Sequence, residues 1–202
     1  MSFYGFIIGL SVSLGIYLFE KSNTLIPKKL VNFFVFGFLI SLLIGARLYH
    51  VFDQWNYYSQ NLLQILNTRG GGLGIYGALI AGFMFLLFFA KIYKIPFLKI
   101  TDLLTPILPL CQSIGRFGNF FNHEIPTWWL EASLNLLLFF LLKKSKNPTA
   151  HYLIAYGLIR FFIEFFRNDT WTINHLKIAQ LISFICIFFG LFLLQKPRRI
   201  GD

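Results

Sequence analysis

The chain has 202 residues, of which 56% are hydrophobic and only 13% charged, and its mean hydropathy is +0.66. A soluble domain carries about 25% charged residues, so composition excludes an ordinary water-soluble globule. The net charge of +10 raises nucleic acid as a partner, but the charges are spread along the chain as a membrane-topology signal and not as a binding patch.

A helix needs about 20 mostly apolar residues to cross a bilayer. Runs of that kind lie at roughly 3–19, 30–48, 72–93, 100–121, 127–142, 150–166 and 176–195. In lipid every backbone N–H and C=O must be paired within the segment, which predicts helices. Period-2 alternation is absent, which argues against a barrel. The expected fold is an all-α integral membrane protein of about seven transmembrane helices in one domain, residues 1–202. The first run has no basic leader or small-residue cleavage site and is expected to be retained. The fourth, interrupted by Pro106 and Pro109 and followed by Gly115 and Gly118, is expected to be broken or partly re-entrant. Cys111 and Cys186 lie in apolar runs and read as buried structural thiols.

Alternate loops can be assigned to opposite sides of the membrane. One side then receives Lys21, Lys28, Lys29, Lys91, Lys94, Lys99, Lys143, Lys144, Lys146, Lys196, Arg198 and Arg199; the other receives Arg47, Arg69, Arg116, Arg160, Arg167 and Lys177. By the positive-inside rule the N-terminus is expected outside and the C-terminus in the cytoplasm. The first set is mostly lysine, which needs only water. The second is mostly arginine, whose planar fork grips phosphate or carboxylate in a bidentate way. An ionisable residue within a span costs roughly 2.5–3.5 kcal/mol on insertion scales, so it needs a partner or a purpose.

In the sixth run, HYLIAYGLIRFFIEFFRND, spacings of 4, 4 and 3 put Tyr156, Arg160, Glu164 and Arg167 on one helical face. Glu164 can pair with either arginine. A structural ion pair is one reading; but one carboxylate does not neutralise two guanidiniums, and the stripe is expected to keep positive charge. In GRFGNFFNHE, Arg116, Asn119 and either Asn122 or His123 share a face if the segment is helical, with Glu124 after them. Its glycines serve helix packing or close approach of a ligand, and the density of polar residues favours a binding site. RGGGLGIYG runs from Arg69 through Gly72 to Tyr76 at the outer end of the third helix. A glycine run there can cradle an anion with backbone amides, while Tyr76 also fits an interfacial aromatic. Arg47 in GARLYH is a fourth candidate on the same side. Together these clusters predict a site for a phosphate-bearing lipid headgroup at the outer leaflet.

In this order the motifs resemble the prolipoprotein diacylglyceryl transferases of bacterial membranes. The resemblance runs from FYGFIIGL at Phe3 through GARLYH, GGLGIYGALIAG and GRFGNFFNHE to PTWWLEA at Pro126, YGLIRFFIEFFRND and AQLIS at Ala179. It implies transfer of a diacylglyceryl group from phosphatidylglycerol to the thiol of a prolipoprotein's lipobox cysteine, with release of glycerol 1-phosphate. It also implies the bacterial cytoplasmic (inner) membrane, with the site toward the outer leaflet. By position, Arg116 and Arg160 resemble the family's essential arginines; Asn119 and Glu124 match positions that shape the same pocket. Glu164 and Arg167 match ion-pair partners, and Tyr4 an important tyrosine of the first helix. Arg69, Gly72 and Asn122, from the clusters read above, complete the candidate substrate-binding set.

Tyr76 falls where some members carry a histidine proposed as general base. A tyrosine of pKa about 10 is a poor base at neutral pH. Either Tyr76 orients a substrate, or the proton leaves to another group. His50 and His123 read as interfacial polar residues. Only Ile125 separates Glu124 from Pro126, where the family usually has an external segment; the glutamate of its Pro-x-x-Leu-Tyr-Glu pattern is Glu131, and a tryptophan replaces the tyrosine. The aromatic and aliphatic loop from Val51 to Asn67 is expected along the membrane interface. No metal-ligand spacing, nucleotide-binding loop or Ser/His/Asp arrangement occurs, so no cofactor is expected. The expected partners are phosphatidylglycerol, a prolipoprotein and the bilayer. Two further readings are a related enzyme acting on another acceptor, and a non-catalytic phospholipid binder or small transporter.

Overall fold

A computed structural model of the protein describes residues 3–68, 71–121, 127–167, 172–173 and 176–195. The described chain is almost entirely helical. Helix α1 is Phe3–Ser22, α2 Lys28–Asp53, α3 Trp55–Tyr58, α4 Ile75–Tyr93, α5 Phe97–Leu104, α6 Leu108–Phe121, α7 Trp128–Leu142, α8 Pro148–Ile163 and α9 Ile178–Gln195. Short 3-10 turns cover Leu62–Leu66 and Glu164–Phe166, and two-residue strands β1 (Thr172–Ile173) and β2 (Leu176–Lys177) pair antiparallel. Each of the seven apolar runs holds one of these helices, the fourth run holding two. Helices α1, α2, α4 and α9 are long and apolar enough to cross a membrane. Their outward faces stay apolar, with Phe36, Ile80 and Phe188 more than half exposed, as a lipid solvent requires.

The fourth run is broken, as its prolines foretold. Helix α5 ends at Leu104, and α6 starts at Leu108 with Pro109 in its first turn. Pro106 has no N–H to donate and its ring crowds the preceding turn, whereas a proline in a first turn removes no helical bond.

The chain divides into two compact units: residues 1–23 with 101–202, and residues 24–100. In the first unit, α1 lies on α6, with Ser11 Oγ donating to the Cys111 carbonyl at 3.0 Å. Helix α6 is tied to α7 where Ser113 Oγ donates to the Ala132 carbonyl at 2.8 Å. Leu138, Leu142 and Tyr152 form a buried cluster between α7 and α8. Helices α8 and α9 approach through Gly157 and Gly190, whose missing side chains leave room for Ile187 and Ile154. Asp102 of α5 accepts from both the backbone N–H (3.0 Å) and the hydroxyl (2.6 Å) of Thr149. Its carboxylate thereby caps the start of α8, where the helix dipole favours negative charge.

In the second unit α2 and α4 pack backbone to backbone. A Cβ on Gly77 would collide with the Gly45 carbonyl and with Tyr49, and one on Gly45 with the Gly77 carbonyl and Ala81. Further along, Phe34, Phe38, Phe85 and Phe89 fill the space between the helices. Because the colliding atoms are backbone, Gly77→Ala must push the helices apart. We expect a loss of about 1–3 kcal/mol, measured as an earlier thermal unfolding in detergent; an unchanged unfolding temperature would refute this packing.

Candidate active site

The first unit brings four charged side chains into one buried row. Arg116 comes from α6, Glu131 from the first turn of α7, Arg160 from the last turn of α8, and Glu164 from the 3-10 turn that follows it. Arg116 Nε lies 2.5 Å from Glu131 Oε2, Glu131 Oε1 lies 3.6 Å from Arg160 Nη1, and Arg160 Nη2 lies 2.8 Å from Glu164 Oε2. Arg116 Nη1 also donates to Asn119 Oδ1 at 3.3 Å, which confirms that these two share a face of α6. The carboxylates are sealed, Glu131 being 1% and Glu164 0% exposed. The guanidiniums remain partly open, at 22% for Arg116 and 18% for Arg160.

This row corrects the expected charge count. The stripe on α8 was expected to hold one carboxylate against two arginines, but a second carboxylate, Glu131, reaches in from α7. Arg160 takes Glu164 as its partner. Arg167 leaves the helical face, because α8 gives way to the 3-10 turn and Arg167 is already extended. Its backbone carbonyl, with that of Glu164, accepts from Lys177 Nζ. Lys177 of β2 thus clamps the end of the turn that carries Glu164. Two carboxylates against two guanidiniums allow the row to be buried at tolerable cost.

The row is nonetheless rich in donors. A guanidinium has five N–H groups; the contacts above occupy Nε and one Nη of Arg116 and one Nη of Arg160. The remaining N–H groups take part in none of these contacts. Tyr4 of α1 packs its ring on Gly118, between Arg116 and Asn119 in α6, so that a Cβ at Gly118 would sit 2.8 Å from the ring. Tyr156 stacks on Tyr152 at 5.3 Å and feels the charges of Arg160, Arg116 and Glu131. One turn along their helices from Arg116 and Glu131 lie Gln112, which donates to the Tyr152 hydroxyl at 2.8 Å, and the buried Asn135. Glu131, Gln112, Asn135 and Lys177 were not singled out as site residues from sequence. For Glu131 the signal was present, since a glutamate at the head of an apolar helix needs a partner.

The second unit holds Arg47, Gly72 and Tyr76. Arg47 is 8% exposed, and all five of its donors are spent on backbone carbonyls: Nε on Ile65 at 2.8 Å, Nη1 on Gly71 and Gly72 at 3.0 and 2.9 Å, Nη2 on Gln64 at 2.5 Å and on Asn67 at 2.8 Å. Its guanidinium also lies over the Tyr58 ring, 5.1 Å from the centroid. Arg47 therefore anchors the loop between α3 and α4 and has no donor left for an anion. Gly71 and Gly72 adopt φ of +88° and +73°, the left-handed region that glycine tolerates best; this turns their carbonyls toward Arg47. The amides of Gly71 and Gly74 donate to Thr68 and Ala46. Tyr76 lies against Tyr49, ring centroids 6.0 Å apart. Trp55 and Tyr57 of α3, and Leu62, Leu63 and Leu66 of the loop after it, are all at least half exposed. Arg69, Asn122 and Glu124 lie outside the described residues, as does His123.

Comparison with known proteins shows the family. A family model described as prolipoprotein diacylglyceryl transferase matches residues 1–129 and 125–195. A protein of Finegoldia magna named phosphatidylglycerol--prolipoprotein diacylglyceryl transferase is 33% identical, with 97% of this chain and 91% of the relative covered. Relatives of the same name from Bacillus cytotoxicus and Clostridium botulinum (strain Hall) are each 34% identical, covering 98% and 97% of this chain and 88% and 94% of their own. With a family match and relatives that both run nearly end to end, this multi-pass membrane protein belongs to the prolipoprotein diacylglyceryl transferase family.

Proposed function

We propose that this chain transfers the diacylglyceryl group of phosphatidylglycerol to the lipobox cysteine thiol of a prolipoprotein, releasing glycerol 1-phosphate. The observation that carries the proposal is the row Arg116–Glu131–Arg160–Glu164, in which Glu131 joins the two arginines. In this reaction the thiol sulfur bonds to the glycerol carbon as the carbon–oxygen bond to phosphate breaks. Negative charge then grows on the departing phosphate. Fixed guanidiniums in a low-dielectric site stabilise that charge without reorganising. Arg116 and Arg160 hold the phosphate; Asn119 fixes Arg116, and Glu164 fixes Arg160. Tyr4 closes one wall, and Asn122, Glu124 and Arg167 complete the substrate-binding set.

The chain acts as one membrane domain with seven spans, α5 and α6 forming the broken fourth. The N-terminus lies outside, the C-terminus lies in the cytoplasm, and the site opens to the outer leaflet of the bacterial inner membrane. The twelve-to-six split of basic residues supports that orientation. Tyr76 orients the substrate and does not remove the thiol proton. Tyr76→Phe is accordingly expected to keep near-normal turnover, and a complete loss would refute this role.

The deciding experiment follows glycerol 1-phosphate released from phosphatidylglycerol in the presence of a lipobox peptide with a cysteine. The purified protein is run beside Arg116→Ala. Release that needs both Arg116 and the peptide thiol is the expected result. The single residue between Glu124 and Pro126 favours a second reading, in which the acceptor differs. Phosphatidylglycerol binding with no release to the lipobox peptide would select that reading or a binding role.

A further inference from the structure

In the second unit, helix α4 closes on a lysine in an uncommon conformation. Lys94 has φ of +53°, the one positive value at a non-glycine among the described residues. Left-handed backbone strains a residue with a Cβ, which is why glycine commonly ends helices. The turn is fixed, since the Ala90 carbonyl accepts from the N–H groups of both Lys94 and Ile95. A cation near a helix C-terminus suits the dipole, but Lys91 already supplies one from the last turn without a positive φ. The strained position therefore has a use for the lysine side chain itself.

Lys91 and Lys94 rim an open groove of 410 Å³ between α4 and the start of α5, a volume in the usual range for ligand sites. Leu87, Ala90, Ile95 and Phe97 make its apolar walls. The Phe97 ring is braced edge-on against Phe83, centroids 5.4 Å apart. Neither ammonium has an ion-pair or hydrogen-bond partner among the described residues. Lys28 and Lys29 begin α2 at this same end of the α2–α4 pair, where Phe34 meets Phe89. Residues 24–100 contain a single acidic side chain, Asp53, at the opposite end of α2. In a membrane, an apolar groove with a cationic rim and no carboxylate matches an acyl chain that carries a net negative headgroup. A zwitterionic lipid brings an ammonium of its own, which the lysines repel. We propose that this groove binds an anionic phospholipid of the lysine-side leaflet, with its phosphate between Lys91 and Lys94. The start of one acyl chain lies along Leu87 and Phe97, and the lipid clamps the turn between α4 and α5. None of these residues belongs to the charged row, so the inference stands whatever the outcome for the proposed function.

The probes are phosphatidic acid and phosphatidylcholine, each with a diazirine near the head of the same acyl chain. Each is added to phosphatidylcholine vesicles that hold the full chain, and after illumination mass spectrometry reads labelling of the Leu87–Phe97 segment. A lysine at the membrane surface favours an anionic lipid by about 5-fold. Phosphatidic acid is therefore expected to label the segment about 5- to 30-fold more than phosphatidylcholine. Lys91→Gln combined with Lys94→Gln should bring that ratio toward one, whereas Lys28→Gln combined with Lys29→Gln should leave most of it. Lys94→Gly separates strain from charge: the unfolding temperature should rise while the ratio falls by about 5-fold. Equal labelling by the two probes in the wild type overturns the proposal. So does an equal loss of preference in the two lysine pairs, which would mean diffuse attraction to a basic surface. A Lys94→Gly protein with the wild-type ratio would also overturn it, because the strained lysine would then serve no lipid.

Discussion

Arg160→Lys is expected to lower turnover by about 10²–10³-fold, the loss seen when a fixed donor to a developing anion is removed. Arg160 meets Glu164 through Nη2, and its Nη1 faces Glu131. A lysine brings one nitrogen at the end of a flexible stem, which cannot hold a carboxylate and a phosphate in fixed register. It does keep a positive charge between two buried carboxylates. Thermal unfolding should therefore shift far less than turnover, and the variant should still bind phosphatidylglycerol, more weakly. Turnover is measured as glycerol 1-phosphate release. Wild-type turnover in a folded Arg160→Lys protein would mean that charge alone suffices and that the fork geometry is irrelevant.

Arg47→Met is expected to act in the opposite way, through stability first. The guanidinium satisfies five carbonyls between Gln64 and Gly72. Hydrogen bonds to a charged group contribute about 1.5–3 kcal/mol each and do not add fully, so a loss of at least about 3 kcal/mol is expected. Methionine fills much of the volume and leaves all five carbonyls without their donor. Hydrogen exchange and proteolysis should rise first in the segment around Leu62–Leu66. Arg47→Lys should rescue little, since three donors on one nitrogen cannot reach carbonyls arranged around a planar fork. An Arg47→Met protein with a wild-type unfolding temperature and a protected loop would show that the cage does not hold the loop.

The two arginines show how far residue patterns alone reach. Arg47 and Arg160 look alike in sequence, each an intramembrane arginine on the more arginine-rich side. Their roles separate only when their partners are known. Arg47 faces a loop that returns 17 to 25 residues later and supplies only carbonyls. Arg160 faces two carboxylates, of which only Glu164 sits at helical spacing. Glu131 is 29 residues upstream on another helix, where no local period connects it to Arg160. The glycine run is similar: its composition permits either amides or carbonyls toward a ligand, and only the positive φ values of Gly71 and Gly72 aim their carbonyls at Arg47.

From sequence alone the membrane-helical class, the location of the seven apolar helical runs and the break near Pro106 were determined, because length, apolarity and the missing proline N–H are local properties of the chain. So was the family resemblance, carried by ordered motifs. The pairing of Arg116 and Arg160 with Glu131 and Glu164 and the enclosure of Arg47 were decided only by tertiary structure. An ion pair or a hydrogen bond depends on distances of a few ångströms between residues far apart in the chain, and those distances exist only once the helices have packed.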